Sequence, residues 1–381
     1  MRFLFSIGLL CCCVVSAGFA QKRLNKKQAE LITAKALDSV QRAYQQQAWK
    51  NWNSKQIKKG DLVMKFEYVT RGAIPKNGHS LYISLHGGGG TAPEVNDQQW
   101  KNQITLYAPP EGIYLAPRAP TNNWNLWHEE HVDDMLDELI KSAIVAASID
   151  PDKVYLMGYS AGGDGTYQLA PRMSYRFAAA AMMAGHPGDM RLENLRNLPF
   201  SIYMGGKDAA YSRNKLAKIY GDKLDSLQNA DPAGYQHETH IYPENPHWME
   251  HKDTVAVKWM AALTRNPLPN KVVWIQDDRH HADFYWLSVP QGVKTGAEVS
   301  ASIKDNIINI EKKDNSELYI YLNDKLLNLN KPVTVIIGGK VIFKGKINRS
   351  EAVITETAAR YLDAGLTFSA KIIIKEGKVI N

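Results

Sequence analysis

The most constraining feature of this chain is Gly158-Tyr159-Ser160-Ala161-Gly162, which follows the short apolar run Val154 to Met157 and precedes a helical pattern. A serine at such a strand-to-helix turn lies on strained backbone, so its hydroxyl projects above the edge of a sheet. Gly158 and Gly162 let neighbouring backbone pass where a Cβ atom would collide. The pattern therefore predicts a nucleophilic Ser160 at the end of a strand.

Short apolar runs alternate with longer helical patterns between residues 61 and 265. Strands are predicted at 62–69, 81–85, 112–115, 154–157, 178–183, 200–204 and 237–242, and helices at 132–148 and 214–227 with another starting near 165. This alternation predicts a mostly parallel sheet covered by helices on both faces. Sheets of this kind carry their chemistry at the carboxyl ends of the strands.

Three further segments flank this predicted catalytic domain. Residues 21–60 have apolar positions at helical spacing and predict an N-terminal helix, or pair of helices, that packs on the domain. A linker is expected at 266–269, before a small β-rich, sandwich-like domain over 270–381. Within it, Gly338-Gly339 predicts a two-residue hairpin turn, whereas 351–362 has a helical pattern that does not fit a pure sandwich.

Residues 1–20 have the pattern of a signal peptide. Arg2 precedes an apolar run too short to span a bilayer as a lasting helix, and Gly18 and Ala20 suit cleavage before Gln21. The alternative is a lipid anchor on one of Cys11 to Cys13, although none of them follows the small residue that such processing prefers. We therefore expect a secreted or periplasmic protein without stable membrane insertion.

Composition excludes several classes of function. The chain of 381 residues is 44% hydrophobic and 22% charged, as in ordinary globular proteins, and two domains are expected. Its net charge of +7 is modest and scattered, which argues against nucleic acid as a partner. All 3 cysteines lie in the predicted leader, so thiol catalysis and thiolate metal sites are excluded from the mature protein. We expect no cofactor and no metal; His280-His281 is too weak a pattern to predict one.

A serine nucleophile needs a histidine base and an acid that orients it, in the chain order serine, acid, histidine for this fold. Asp208 follows the strand at 200–204, and His247 lies in the loop after the strand at 237–242. These two residues are the predicted acid and base. Asp189 remains an alternative acid, and His251 an alternative base.

A glycine run after His86 follows another predicted strand and is expected to stabilise the oxyanion of an acyl-transfer reaction. The predicted donors are the backbone N–H groups of Ala161 and Gly88, with Gly89 as second choice. The run lacks the Gly-Lys-Ser/Thr ending of a nucleotide-binding loop. Trp124 and Trp127 are candidates for substrate binding, and packing explains them equally well.

Together these residues resemble the α/β-hydrolase superfamily, and more narrowly bacterial carboxylesterases related to polyhydroxybutyrate depolymerases, feruloyl esterases and phospholipase/carboxylesterases. The resemblance rests on 86–90, on 149–153 leading into 158–163, and on Asp208 and His247, and it covers roughly residues 60–265. It implies an acyl-enzyme on Ser160 that water activated by His247 then hydrolyses. The expected substrate is a carboxylic ester, either an acyl group on a polysaccharide or a small acyl ester; a serine peptidase and a non-catalytic binding protein are the alternatives.

Overall fold

The computed structural model describes residues 23–380. The predicted leader, with its cleavage site and cysteines, lies outside these residues. The first element is helix α1, Lys26–Ser54, a single helix rather than a pair. It packs against two later helices, one from each of the two units of the chain. Within residues 23–380, no helix combines the length and apolar character needed to cross a membrane.

An eight-stranded sheet forms the core of the first unit. Its strands are β1 Gln56–Lys59, β2 Leu62–Arg71, β3 His79–Leu85, β4 Gly112–Pro117, β5 Ile149–Tyr159, β6 Ala179–Met183, β7 Phe200–Gly205 and β8 His237–Tyr242. Their spatial order is β1-β2-β4-β3-β5-β6-β7-β8. Strands β3 to β8 run parallel, whereas β1 and β2 add an antiparallel edge. The prediction of a mostly parallel sheet is confirmed.

Helices cover both faces of this sheet. They are α2 Pro93–Ile104, α3 Glu130–Ala146, α4 Ala161–Arg172, α5 Arg213–Ala230 and α6 Val255–Ala261. Side chains of β3 alternate between two cores: Leu81 and Ile83 pack with α3, α4 and α5, while Tyr82 packs on the opposite face, which α6 also covers. Because the central strands are parallel, their carboxyl ends meet at one edge of the sheet and deliver the candidate residues there.

The second unit contains two five-stranded sheets around a shared apolar core. One sheet has the order β10-β11-β14-β17-β18 and the other β16-β15-β13-β12-β9. The strands are β9 Lys271–Ile275, β10 Asp283–Phe284, β11 Leu287–Ser288, β12 Glu298–Lys304, β13 Ile307–Lys313, β14 Glu317–Leu322, β15 Val333–Ile337, β16 Lys340–Gly345, β17 Ala370–Lys375 and β18 Lys378–Ile380. Helix α7, Glu351–Tyr361, occupies the predicted helical segment, and Gly338-Gly339 joins the antiparallel strands β15 and β16.

Candidate active site

Ser160 stands on a sharp turn between β5 and α4. Its backbone has φ 58° and ψ −122°, a strained conformation for a residue with a side chain. The turn is tight because its glycines touch neighbouring backbone: a Cβ on Gly158 would lie 2.1 Å from the oxygen of Gly162, and one on Gly162 would lie 2.1 Å from the oxygen of Leu85. The predicted requirement for both glycines is therefore confirmed by the packing.

The structure brings Ser160, His247 and Asp208 into one hydrogen-bonded chain. His247 Nε2 lies 3.0 Å from Ser160 Oγ, and His247 Nδ1 lies 2.6 Å from Asp208 Oδ2. The Asp208 side chain is only 2% exposed, whereas His247 opens to solvent. With its Nδ1 hydrogen donated to the carboxylate, the ring presents Nε2 as the acceptor for the serine hydroxyl.

Two loops that follow neighbouring strands hold the acid and the histidine together. The Lys207 N–H donates to the oxygen of Asn245 at 3.0 Å, and a Cβ on Gly205 would lie 1.9 Å from the oxygen of Pro246. Tyr159 fixes the histidine loop, since its hydroxyl donates to the oxygen of His247 at 2.6 Å. Sequence reasoning missed this role of Tyr159, whose position inside the Gly-x-Ser-x-Gly pattern carries no such information.

The glycine loop after β3 lies beside the serine. Gly87 and Gly88 line the cavity that contains Ser160, and Gly87 is near enough that a Cβ there would lie 3.2 Å from Ser160 Cβ. Ala161 opens α4, so its N–H has no partner within the helix. Gly89 does not fit its predicted role as a donor, because its N–H already donates to Asn96 Oδ1 at 2.8 Å. Asn96 is itself buried.

The buried side chain of His86 holds the start of the glycine loop. Its buried ring hydrogen-bonds through Nδ1 to the oxygen of Gly87 at 2.6 Å, and Nε2 accepts the N–H of Ala119 at 3.1 Å. Burial, opposed by the bond to Gly87 and aided by the nearby Arg118 charge, lowers the pKa of His86 to about 4. The ring is therefore neutral near pH 7 and carries its hydrogen on Nδ1.

A cavity of about 520 Å³ opens beside Ser160. Its wall combines amides from α2 with apolar side chains: Val95, Gln99, Asn102, Gln103, Leu106, Tyr159 and Trp248. Sequence reasoning missed the cavity because it missed α2, whose polar sequence lacks a clear apolar stripe. Pro93 in the first turn was the signal that could have indicated a helix start there.

The two predicted substrate-binding tryptophans have different surroundings. Trp127 is fully buried, packs edge-on against His86 and donates its indole hydrogen to the oxygen of His86 at 2.8 Å. The substrate-binding prediction is therefore wrong for Trp127, which is a packing residue. Trp124 is 64% exposed and contacts the equally open Tyr211, with 5.7 Å between ring centroids. Neither Trp124 nor Trp127 lines the cavity beside Ser160.

Asp164 adds a second carboxyl group near the hydrogen-bonded chain of Ser160, His247 and Asp208. It lies in the first turn of α4, and its Oδ1 accepts the N–H of His186 at 2.5 Å. Burial raises the pKa of Asp164 to about 6, although that hydrogen bond and the charges of Arg213 and His247 act in the opposite direction. Asp164 thus changes charge within the working range of a histidine base.

The alternative acid and base lie elsewhere. Asp189 contacts Gln168 and two aspartates of the second unit, and His251 packs edge-on against Trp248. Oxygens of Asp189, Asp277 and Asp278 lie within 4.8 Å of one another, which suits a cation in principle. The Arg172 guanidinium already pairs with two of these carboxylates, with Nη2 at 2.6 Å from Asp278 and Nε at 3.4 Å from Asp277. These residues form an ion-pair cluster and do not fit a metal centre.

The predicted weak histidine pair is divided between two partners. His281 Nε2 lies 2.9 Å from Asp133 Oδ1, and His280 Nε2 lies 3.0 Å from Thr295 Oγ1. Because the two rings bind different groups, they do not converge on one point. Nothing in their arrangement supports a shared ligand.

Comparison with known proteins places the candidate residues in a hydrolase context. Residues 116–263 match the model of the Dienelactone hydrolase family, and this segment contains Ser160, Asp208 and His247. A protein named "Putative esterase NocK", from Nocardia uniformis subsp. tsuyamanensis, is 31% identical over 119 residues. That alignment covers 30% of this chain and 34% of the relative, about a third of its length. The resemblance to the α/β-hydrolase superfamily is confirmed.

Solved structures of similar proteins include both esterases and peptidases. A thermostable esterase has a TM-score of 0.42 at 18% identity, over 55% of this chain and 62% of that one. Dipeptidyl peptidase 4 of Porphyromonas gingivalis has a TM-score of 0.40 at 13% identity, over 55% of this chain and 35% of that one. We draw no conclusion about the reaction from likenesses at this level.

Proposed function

We propose that this protein hydrolyses carboxylic esters through an acyl-enzyme on Ser160. The observation that carries the proposal is the hydrogen-bonded chain from Asp208 through His247 to a serine on strained backbone, beside a cavity lined by glycine backbone. A binding protein has no need for these three side chains in one hydrogen-bonded chain. The match to a hydrolase family and the relative named as an esterase support the same reaction.

In the first half of the reaction, Ser160 Oγ attacks the ester carbonyl carbon while His247 Nε2 accepts the hydroxyl proton. The carbonyl oxygen becomes an oxyanion, and the N–H groups of Gly88 and Ala161 are the proposed donors to it. When the intermediate collapses, the carbon–oxygen bond to the alcohol breaks and His247 returns its proton to the leaving oxygen. The acyl group remains bound to Ser160.

In the second half, water takes the place of the alcohol. His247 Nε2 accepts a proton from the water as its oxygen attacks the acyl carbon, and the same backbone donors face the second oxyanion. Collapse breaks the bond to Ser160 Oγ, which recovers its hydrogen from His247, and the carboxylic acid departs. Asp208 keeps the imidazole in the correct tautomer throughout. These steps require no cofactor.

The proposed substrate is an acyl ester carried by a carbohydrate outside the cytoplasm. The leader pattern of residues 1–20 supports the location. Trp124 and Tyr211 support the carbohydrate: they are 64% and 61% exposed, and their rings are tilted by 59°. Trp124 also packs against the glycine loop, since a Cβ on Gly90 would lie 2.9 Å from its ring. Open aromatic faces of this kind suit the apolar face of a sugar ring. The amides and apolar groups of the cavity suit a small acyl group.

The test is hydrolysis of p-nitrophenyl, hydroxycinnamoyl and acetylated-sugar esters beside peptide anilides. We expect ester turnover in the wild type, its loss in Ser160→Ala, and no change in Ser226→Ala, an exposed serine on α5. Asp208→Asn should lower kcat about 10⁴-fold, since an asparagine favours the wrong histidine tautomer. Asp189→Asn, the alternative acid, should leave turnover unchanged.

Each other outcome assigns a different function. Turnover of anilides alone would make the protein a serine peptidase. A protein that hydrolyses nothing, and whose Ser160 is not labelled by a fluorophosphonate, would be a binding protein. If Trp124→Ala raises KM for sugar esters and for p-nitrophenyl esters by the same factor, the carbohydrate proposal fails.

A further inference from the structure

Arg213 is a buried cation beside the proposed catalytic acid. It is 9% exposed, and its Nη1 lies 3.9 Å from Asp208 Oδ1, the carboxylate oxygen that does not bind His247. Within residues 23–380, Arg213 Nε is buried without a hydrogen-bond partner. A buried guanidinium with so few contacts costs free energy unless a nearby opposite charge compensates it.

The backbone between Asp208 and Arg213 bends sharply. Asp208 lies in the loop after β7, five positions before Arg213. Between them, Tyr211 and Ser212 both have left-handed backbone, with φ 52° and 58°. Neither residue is glycine, so the bend is strained. The Asn214 N–H closes the loop by donating to the oxygen of Asp208 at 3.1 Å. This bend carries the chain back so that Arg213 faces the carboxylate.

The surroundings of the guanidinium define its electrostatic role. Arg213 Cζ lies 4.9 Å from the centre of the Tyr211 ring, which covers it. The other titratable groups that its charge affects are Asp164 and His186, on α4 and on the loop after β6. His247, in turn, faces Asp208 and acts on Asp164. One cation therefore lies among two carboxylates and two histidines at the proposed catalytic centre.

We propose that Arg213 is a positioning residue that acts through Asp208: its charge lies 3.9 Å from the outer carboxylate oxygen and offsets the attraction of Asp208 for a proton on His247. The inference rests on the proposed function, in which neutral His247 accepts the proton of Ser160. A fully uncompensated Asp208 would stabilise the imidazolium, which cannot act as a base. Arg213 limits that effect and leaves the hydrogen bond from Nδ1 in place.

The experiment compares pH profiles of kcat/KM for a neutral ester in three variants. Arg213→Met removes the charge, Arg213→Lys keeps it, and Lys215→Met removes an exposed charge two residues away as the control. In Arg213→Met, we expect the acidic limb to move up by about 0.5 to 1 pH unit, since an opposing charge is lost at short range. Arg213→Lys and Lys215→Met should keep the wild-type limb.

Two additions keep the test independent of other effects. Because burial raises the pKa of Asp164 to about 6, the profiles are repeated in an Asp164→Asn background, which removes this carboxyl group from the acidic limb. Arg213→Gln replaces Arg213→Met if the latter does not fold. The titration midpoint of the His247 ring is also measured by NMR, with His247→Asn to assign its signal. This measurement tests the effect of the Arg213 charge without depending on enzymatic activity.

The outcomes separate the two proposals. Equal NMR midpoints in Arg213→Met and Lys215→Met would overturn the role of Arg213, whatever the activity. So would a loss of kcat/KM that is uniform across pH, as from a packing defect. A wild type without ester turnover would instead refute the proposed function and leave the NMR result standing.

Discussion

His86 shows how one buried side chain can set both the geometry and the acid stability of the protein. Its ring bridges Gly87 and Ala119, so it joins the glycine loop to the end of β4. An unfolded histidine titrates near pH 6.5, whereas burial lowers the pKa of folded His86 to about 4. The folded state binds fewer protons between these values. Stability from this group is present above pH 6.5 and is lost as the pH falls to 4.

We predict that His86→Gln removes this share of the acid sensitivity. Urea unfolding between pH 4 and 7 should show a shallower fall in the free energy of unfolding than the wild type, by up to about 3 kcal/mol over the range. His280→Gln, which changes an exposed ring, is the matched control. Equal pH slopes for wild type and His86→Gln would contradict the assignment of a neutral ring.

At the scale of elements, α2 orders the proposed oxyanion loop. Asn96 on this helix is buried, accepts the N–H of Gly89 and donates to Asn122 Oδ1 at 3.0 Å. Its amide therefore links the glycine loop to the loop after β4. The bond to Asn96 therefore restrains Gly89, the neighbour of the proposed donor Gly88.

We predict that Asn96→Ala lowers kcat without a comparable rise in KM. The change leaves the Gly89 N–H without its partner, at a cost of about 1 to 3 kcal/mol, and frees the loop to turn away from the reacting oxygen. Steady-state kinetics on a p-nitrophenyl ester would measure the split, and Gln98→Ala on the exposed face of α2 is the control. A change in KM alone would indicate that Asn96 serves binding instead.

The strands that sequence reasoning found differ from those it missed in how they are buried. The central strands are continuous apolar runs because both faces are covered, so they stand out in the sequence. Two strands of the second unit, β12 and β13, were missed because polar residues interrupt their apolar positions: serines in β12, and Asn309 between Ile308 and Ile310 in β13. The alternation from Val299 to Ile303 and the turn at Asp305-Asn306, where both residues have positive φ, were the available signals.

The candidate site was predictable where chemistry follows a strand end. Ser160, Asp208 and His247 could be placed because chain order and sheet direction fix where each strand delivers its loop. The state of Gly89 could not be predicted, since it depends on Asn96, a polar residue on an unrecognised helix. Trp127 and Trp124 looked alike in the sequence, and only tertiary packing separates the buried ring from the exposed one.

At the scale of the whole molecule, the ion pairs of two buried arginines fix the β-rich unit to the first unit. Arg172 on α4 binds Asp277 and Asp278, and Arg265 binds both Asp152 and Asp363. Helix α1 also connects the two units, since it packs on α3 of one unit and α7 of the other. The predicted linker thus follows a buried anchor at Arg265. These contacts favour a supporting role for the second unit over that of a detachable module.

We predict that Arg265→Met destabilises both units together. Arg265 Nη2 lies 2.6 Å from Asp363 Oδ2, and both side chains are buried, so the change leaves an unpaired carboxylate inside the protein. Loss of one partner from a buried pair costs about 3 to 5 kcal/mol. Calorimetry should show one unfolding transition at a lower Tm. Arg279→Met, which breaks pairs with the more exposed Glu130 and Asp134, should cost under about 1 kcal/mol. Two separate transitions in the wild type would contradict this prediction, because units joined by shared ion pairs should unfold as one.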